Sequence, residues 1–168
     1  MRELADVTLR LPIAPAAKGR PKARVLQLGA RTIAQMYTPA TTRAFEATIA
    51  DMAAARLEGR ILEGPLRVDI LAVLQRPQGL LRKRDPEGIT WAPKRPDRDN
   101  LEKAVLDGLS ACFRDDAQVV AGETIKVYAE KTGCPRVVVR IRQLGEQDLL
   151  AAANPEALAA SLGLLVEG

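Results

Sequence analysis

The sequence has no histidine among its 168 residues, and only two cysteines, one tryptophan, two tyrosines and two phenylalanines. Without imidazole there is no Ser-His-Asp or Cys-His dyad, no His-ligated metal finger and no histidine general base. Any chemistry therefore rests on carboxylates, Lys, Tyr, Cys or Ser. Cys112 and Cys134 lack the second pair that tetrahedral zinc needs, which argues against zinc and leaves both as packing residues. No apolar run approaches the roughly 18 residues of a membrane span, and the chain opens on a strand-like run rather than a leader. The expectation is a cytoplasmic protein with reduced thiols, no membrane partner and no organic cofactor.

The charge that is present is unevenly placed. The net value is +4, but residues 145–168 carry Glu146, Asp148, Glu156 and Glu167 with no Lys or Arg. The rest of the chain holds all 25 cations against 17 acids, a balance of +8. A body of that sign has the electrostatic footprint of a polyanion binder, and equally that of a basic soluble protein. The length suits one domain with a real core, divided as residues 1–144 followed by an acidic Ala/Leu-rich tail over 145–168. Asn154-Pro155-Glu156 reads as the start of a helix in that tail.

Along the body, Asp6 to Leu11 alternates as a half-buried strand. Residues 15–24, with Pro15, Gly19 and Pro21, read as a basic loop whose Lys18, Arg20, Lys22 and Arg24 are candidate phosphate contacts. Thr41 or Thr42 can cap a helix with Phe45, Ile49, Met52 and Ala53 on one face. Leu66 to Leu74 reads as a central strand. Residues 75–96 have no usable period and carry Arg76, Arg82, Lys83, Arg84, Lys94 and Arg95 among prolines and glycines. This stretch predicts a mobile basic arm that gains order on its ligand. Trp91 within it either stacks on an unpaired base or anchors the loop to the body. Strands are also expected within 117–131 and 135–142.

The clearest helix runs from about Asp99 or Asn100 to Cys112, with Leu101, Val105, Leu109 and Cys112 on one face. Asp99 followed by Glu102 resembles a capping box. Asp97 and Asp99 precede the helix two residues apart, Lys103 and Asp107 follow at spacings of four, and Asp115-Asp116 comes next. Five aspartates within 20 residues of a basic chain would repel phosphate unless a cation neutralises them. Hard oxygen ligands without His or Cys select Mg2+, with Mn2+ as a substitute. The implied chemistry is phosphodiester hydrolysis, with Lys103 placing positive charge on the transition state or leaving group. Each aspartate alone also has a structural role open to it, as helix cap, turn former or surface ion pair.

The run Arg95-Pro-Asp97-Arg-Asp99-Asn100-Leu-Glu-Lys103-Ala-Val-Leu-Asp107, then Asp115-Asp116-Ala-Gln118-Val119, resembles the signature of the RusA family of Holliday junction resolvases, common on phages and prophages. Lys18-Gly19-Arg20-Pro21 with Tyr37-Thr38-Pro39 and Thr42 is similar to its phage-type members. The resemblance spans about residues 5–143. It implies an α+β domain with a small mixed β-sheet packed by two main helices, followed here by a C-terminal helical extension. It further implies a Mg2+-dependent homodimer that cuts four-way DNA junctions symmetrically in recombination and repair. By that resemblance Asp97, Asp99 and Asp116 are metal ligands, Lys103 is the essential lysine, and Asp107 ranks ahead of Asp115 as a fourth carboxylate. Arg98 and Asn100 join the basic residues as DNA contacts. A fork- or flap-trimming nuclease on the same fold, and a junction-binding protein without turnover, are the alternatives. The arm over 75–96 is longer than compact members have, and the acidic tail has no counterpart in the family core.

Overall fold

The computed structural model describes residues 4–19, 22–29, 31–37 and 39–148. The expected helix in the tail after Asn154 lies outside the described residues, as does Arg20. The chain forms strand β1 (Asp6–Leu11), a hairpin of β2 (Lys22–Leu28) and β3 (Arg31–Tyr37), helix α1 (Ala40–Leu57), strand β4 (Leu66–Leu74), the short β5 (Thr90–Trp91), helix α2 (Arg98–Leu109), then β6 (Val119–Ala121), β7 (Thr124–Tyr128) and β8 (Arg136–Gln143). Single 3-10 turns lie at Gln78–Leu80, Ser110–Cys112 and Asp116–Gln118.

The main sheet has the order β1-β8-β4-β7-β5, with β6 beside the start of β4. β8 is antiparallel to both β1 and β4, whereas β7 and β6 run parallel to β4, so the sheet is mixed and the domain is α+β. β4 is central because both its faces are apolar: Val68 and Ile70 face the main core, and Leu71 and Val73 face a smaller cluster with Ile125, Val127 and Ala129. The main core joins Val7, Leu9 and Leu11 of β1 and Val137, Val139 and Ile141 of β8 to the two helices. α1 contributes Phe45, Ile49, Ala53 and Leu57, each four residues apart, and α2 contributes Ala104, Val105 and Leu109. The helices meet at Gly108, where an added Cβ would lie 2.8 Å from the Ile49 Cβ and 3.0 Å from the Glu46 carbonyl oxygen. A side chain there would force the helices apart.

Three local expectations are corrected. The basic loop ends early: Lys22 and Arg24 lie in β2, paired with β3 from Lys22↔Tyr37 to Leu28↔Arg31. Gly29, at φ 63°, supplies the left-handed turn that closes this hairpin. The first helix has Pro39 at its N-cap and no side-chain cap. Thr42 is instead buried, its hydroxyl accepting the Gly19 N–H (3.3 Å) and donating to the Ala17 carbonyl (3.4 Å). The α2 N-cap is Asp97, not Asp99, so the Asp99–Glu102 capping box is not formed, and Cys112 lies in the 3-10 turn beyond the helix.

The arm over 75–96 folds against the body. Arg76 is 2% exposed, and its guanidinium donates to the carbonyls of Ala129 (2.7 Å), Pro86 (2.6 Å) and Gly88. β5 pairs Thr90 with Tyr128 and Trp91 with Val127. Arg76 therefore does not contact DNA as expected; it is the internal brace of the arm. A buried guanidinium needs hydrogen-bond acceptors, and three carbonyls from two segments supply one to each of its nitrogens.

Candidate functional site

α2 carries the charged sequence motif because its apolar period buries Leu101, Ala104, Val105 and Leu109 and leaves Asp99, Lys103 and Asp97 outward. The Asp97 backbone is extended (φ −70°, ψ 144°), and its carbonyl accepts the Leu101 N–H at 3.2 Å. Its side chain makes no cap hydrogen bond. An N-cap aspartate ordinarily spends a carboxylate oxygen on the first-turn amides. Among the described residues that oxygen makes no hydrogen bond and no ion pair. Asp99 sits in the first helical turn, and Lys103 lies one turn further along the same exposed side. Among the described residues, the side chains of Asp97, Asp99, Lys103 and Asp116 make no ion pair.

The segment leading into α2 is fixed by a residue that sequence reasoning missed. Lys126 of β7 extends its ammonium to the carbonyls of Lys94 and Pro96, both at 2.8 Å. A lysine facing out of a strand looks like any solvated cation in sequence. Only the pairing of β7 with β4 brings it beneath the α2 N-terminus.

The Asp115-Asp116 pair divides its work. Asp115 caps the 3-10 turn, its Oδ1 accepting the Ala117 N–H at 2.8 Å. Gln118 closes the box: its Oε1 accepts from Arg114 N–H (2.8 Å) and Asp115 N–H (3.1 Å), and its Nε2 donates to the carbonyls of Leu62 (3.3 Å) and Gly64 (2.9 Å). Asp115 thus serves the turn, and Asp116 is the exposed carboxylate it presents.

The expected single mouth of carboxylates is not assembled within one chain. Among the described residues, no group of three or more His, Cys, Asp or Glu is placed to hold a metal ion. Helical rise separates Asp99 from Asp107 by about 12 Å along the axis, too far for one ion with ligands at about 2.1 Å. Asp107 is moreover ion-paired with Lys18, which also meets Glu46 Oε1 at 2.6 Å. These are corrections: Asp107 does not join Asp97 and Asp99 at one ion, and Lys18 is not a free phosphate contact. The hydrogen bonds that the Lys18 ammonium donates to Asp107 and then to Glu46 hold it above its ordinary pKa. The Lys18 amide also donates to the Asn100 carbonyl at 2.8 Å, so residues 17–19 strap α1 to α2.

Asp116 lies at the other end of the sheet. Gln118 anchors its turn at Leu62 and Gly64, just before β4, and Val119 pairs with Leu66. Lys126, beside Pro96, pairs with Ala72. The two points are six residue steps apart along β4, about 20 Å.

The remaining predicted contacts fall into two groups. Arg82, Lys83, Arg84, Lys94, Arg95 and Arg98 are exposed, while Asn100 is half-buried. Arg98 also meets Glu102 at 3.5 Å. Lys22 and Arg24 are placed only by their backbone on β2.

The α+β domain with paired carboxylates and a lysine on one helix, flanked by exposed arginines, matches a family of endodeoxyribonucleases. The family described as Endodeoxyribonuclease RusA matches residues 12–142, and the chain belongs to that family. It is also similar to a Bacillus subtilis (strain 168) protein described as "Uncharacterized protein YqaN", at 29% identity over 136 residues, covering 77% of this chain and 91% of the relative.

Proposed function

We propose that this nuclease is a Mg2+-dependent, structure-selective endonuclease that resolves four-way DNA junctions by paired symmetric cuts, acting as a homodimer. The observation that carries the reading is the Asp97 carboxylate at the α2 N-cap, which makes no cap hydrogen bond, with Asp99 and Lys103 beside it. Two exposed carboxylates of hard oxygen fit Mg2+ or Mn2+, which bind through one or two carboxylates, waters and substrate phosphate. The chemistry such an ion supplies when bound is Lewis-acid polarisation of a phosphoryl oxygen and easier deprotonation of water.

The chain's own groups divide the remaining work. Asp97 and Asp99 hold the ion at the helix start, and Lys126 fixes the backbone that presents them. Lys103 places its ammonium on charge developing at the phosphate or leaving oxygen. Arg95 and Arg98 neutralise neighbouring phosphates and position the strand. The separation of Asp116 from Asp97 supports a two-fold dimer in which Asp116 of the partner subunit completes each site. Such a dimer also supplies two equivalent sites for a junction of approximate two-fold symmetry.

Junction cleavage in Mg2+ tests the reading. Asp97→Asn or Asp99→Asn should lower cleavage roughly 100-fold or more while junction binding is kept or strengthened. Excess EDTA should abolish cleavage, and Ca2+ should support binding with little product. Mixed dimers of Asp97→Asn and Asp116→Asn chains should regain nicking, since one of their two shared sites is intact. Mixed dimers as inactive as either parent would reject the shared site, and full activity of Asp97→Asn would reject the site assignment itself.

A further inference from the structure

Trp91 is 75% exposed, although tryptophan is usually among the more buried residues of a folded chain. It does not anchor the arm: that task falls to Arg76 and to the pairing of β5 with β7. Its indole stands on a braced backbone and is left unspent.

Beside it lies a cleft of about 450 Å3, walled by Pro77, Leu80 and Pro93, with Tyr128 and Lys94 also lining it. That volume falls within the roughly 300–1,000 Å3 of small-ligand pockets. Lys94 lines the cleft, and the exposed Arg84 and Arg95 stand next in the chain to its lining residues Asp85 and Lys94, so its edge is basic. The acidic group in the lining, Asp85, accepts the Arg82 N–H at 2.8 Å. The cleft adjoins the segment that leads into α2: Lys94 lines it, and Lys126 holds both the Lys94 carbonyl and the Pro96 carbonyl one residue ahead of Asp97.

We infer that this cleft captures an unstacked nucleobase of the DNA substrate, which stacks on the Trp91 indole while the basic rim holds its phosphates. The inference rests on the nuclease reading above and adds to it the way branched DNA is told from duplex. An aromatic platform in a basic groove accepts the π-face of any base. A continuous duplex keeps its bases stacked and offers none; a branch point or a single strand does. An apolar cleft with Lys94 in its lining and Arg84 and Arg95 next to it in the chain suits a base attached to a polyanion better than an apolar peptide.

Trp91 is the single tryptophan of the chain, so its fluorescence reports this site alone. The full chain is titrated, with Ca2+ in place of Mg2+, with a four-way junction, a short oligothymidylate and a blunt duplex, while binding is followed separately by gel mobility. Base capture predicts that junction and oligothymidylate quench the emission and the duplex does not. Trp91→Ala should weaken junction binding roughly tenfold relative to duplex, and Trp91→Phe should retain most of it. Junction binding with unchanged emission and unchanged affinity of Trp91→Ala would overturn base capture and leave the nuclease reading standing. Absence of binding to every DNA would overturn both.

Discussion

The Lys126 ammonium donates to the Pro96 carbonyl at 2.8 Å, one residue ahead of Asp97. With its second bond to the Lys94 carbonyl, it makes one strand residue the support of the α2 N-terminus. β7 holds Lys126 in register with Ala72 of the central strand, so the support is rigid. The proposed catalytic carboxylates, Asp97 and Asp99, are thereby referenced to the middle of the sheet.

Lys126→Met should disturb catalysis more than binding. Removing two hydrogen bonds from a charged, partly exposed donor should cost about 1–2 kcal/mol of stability. The cleavage rate at saturating junction should fall while junction affinity stays within about twofold, since the basic rim is untouched. Single-turnover kinetics alongside binding measures the split. Equal loss in both would mean that Lys126 meets DNA directly.

Lys18 should behave as a structural strap. Lys18→Met leaves Glu46 and Asp107 facing each other across the α1–α2 contact, with side chains only 20% and 32% exposed. Urea unfolding should show a loss of about 1–3 kcal/mol, partly recovered by adding Asp107→Asn, because the repulsion is then removed. Duplex affinity of the folded variant should hold. A uniform loss of DNA affinity with unchanged stability would restore Lys18 to the phosphate contacts.

The Glu130–Arg136 pair should set a pH dependence at the acid end. Hydrogen bonds from the Arg136 guanidinium, at 2.8 and 3.0 Å, hold the Glu130 carboxyl at about 2, against an ordinary 4.5. Because the folded value is lowered, the pair's contribution is fully present above about pH 4.5 and is lost as pH falls towards 2. Carboxyl-carbon NMR should place the Glu130 midpoint near the lower value, and Arg136→Met should return it towards the upper one. The stability advantage of wild type over Glu130→Gln should shrink over the same interval; a constant difference would contradict the linkage.

Much of this arrangement was legible in local sequence. The alternation of Val7, Leu9 and Leu11, the four-residue period of Phe45, Ile49 and Ala53, and the period of α2 each report burial within one element. They were readable because a strand or helix repeats its face regularly. The arm was misread because it has no period: its order comes from Arg76 reaching carbonyls up to 53 residues away. The hairpin strands β2 and β3 were missed for a related reason, since their pairing, rather than their separate patterns, defines them.

The site divides the same way. Sequence determined the donor chemistry: the absence of histidine, the paired aspartates and Lys103 leave carboxylate oxygen and a hard cation as the consistent choice. Tertiary structure decided which of those groups are free. It committed Asp107 to Lys18 and Asp115 to its turn, left Asp97 and Asp116 without an ion pair among the described residues, and set them at opposite ends of the sheet. Side-chain chemistry belongs to each residue wherever it stands, whereas availability and distance depend on partners that only folding brings together.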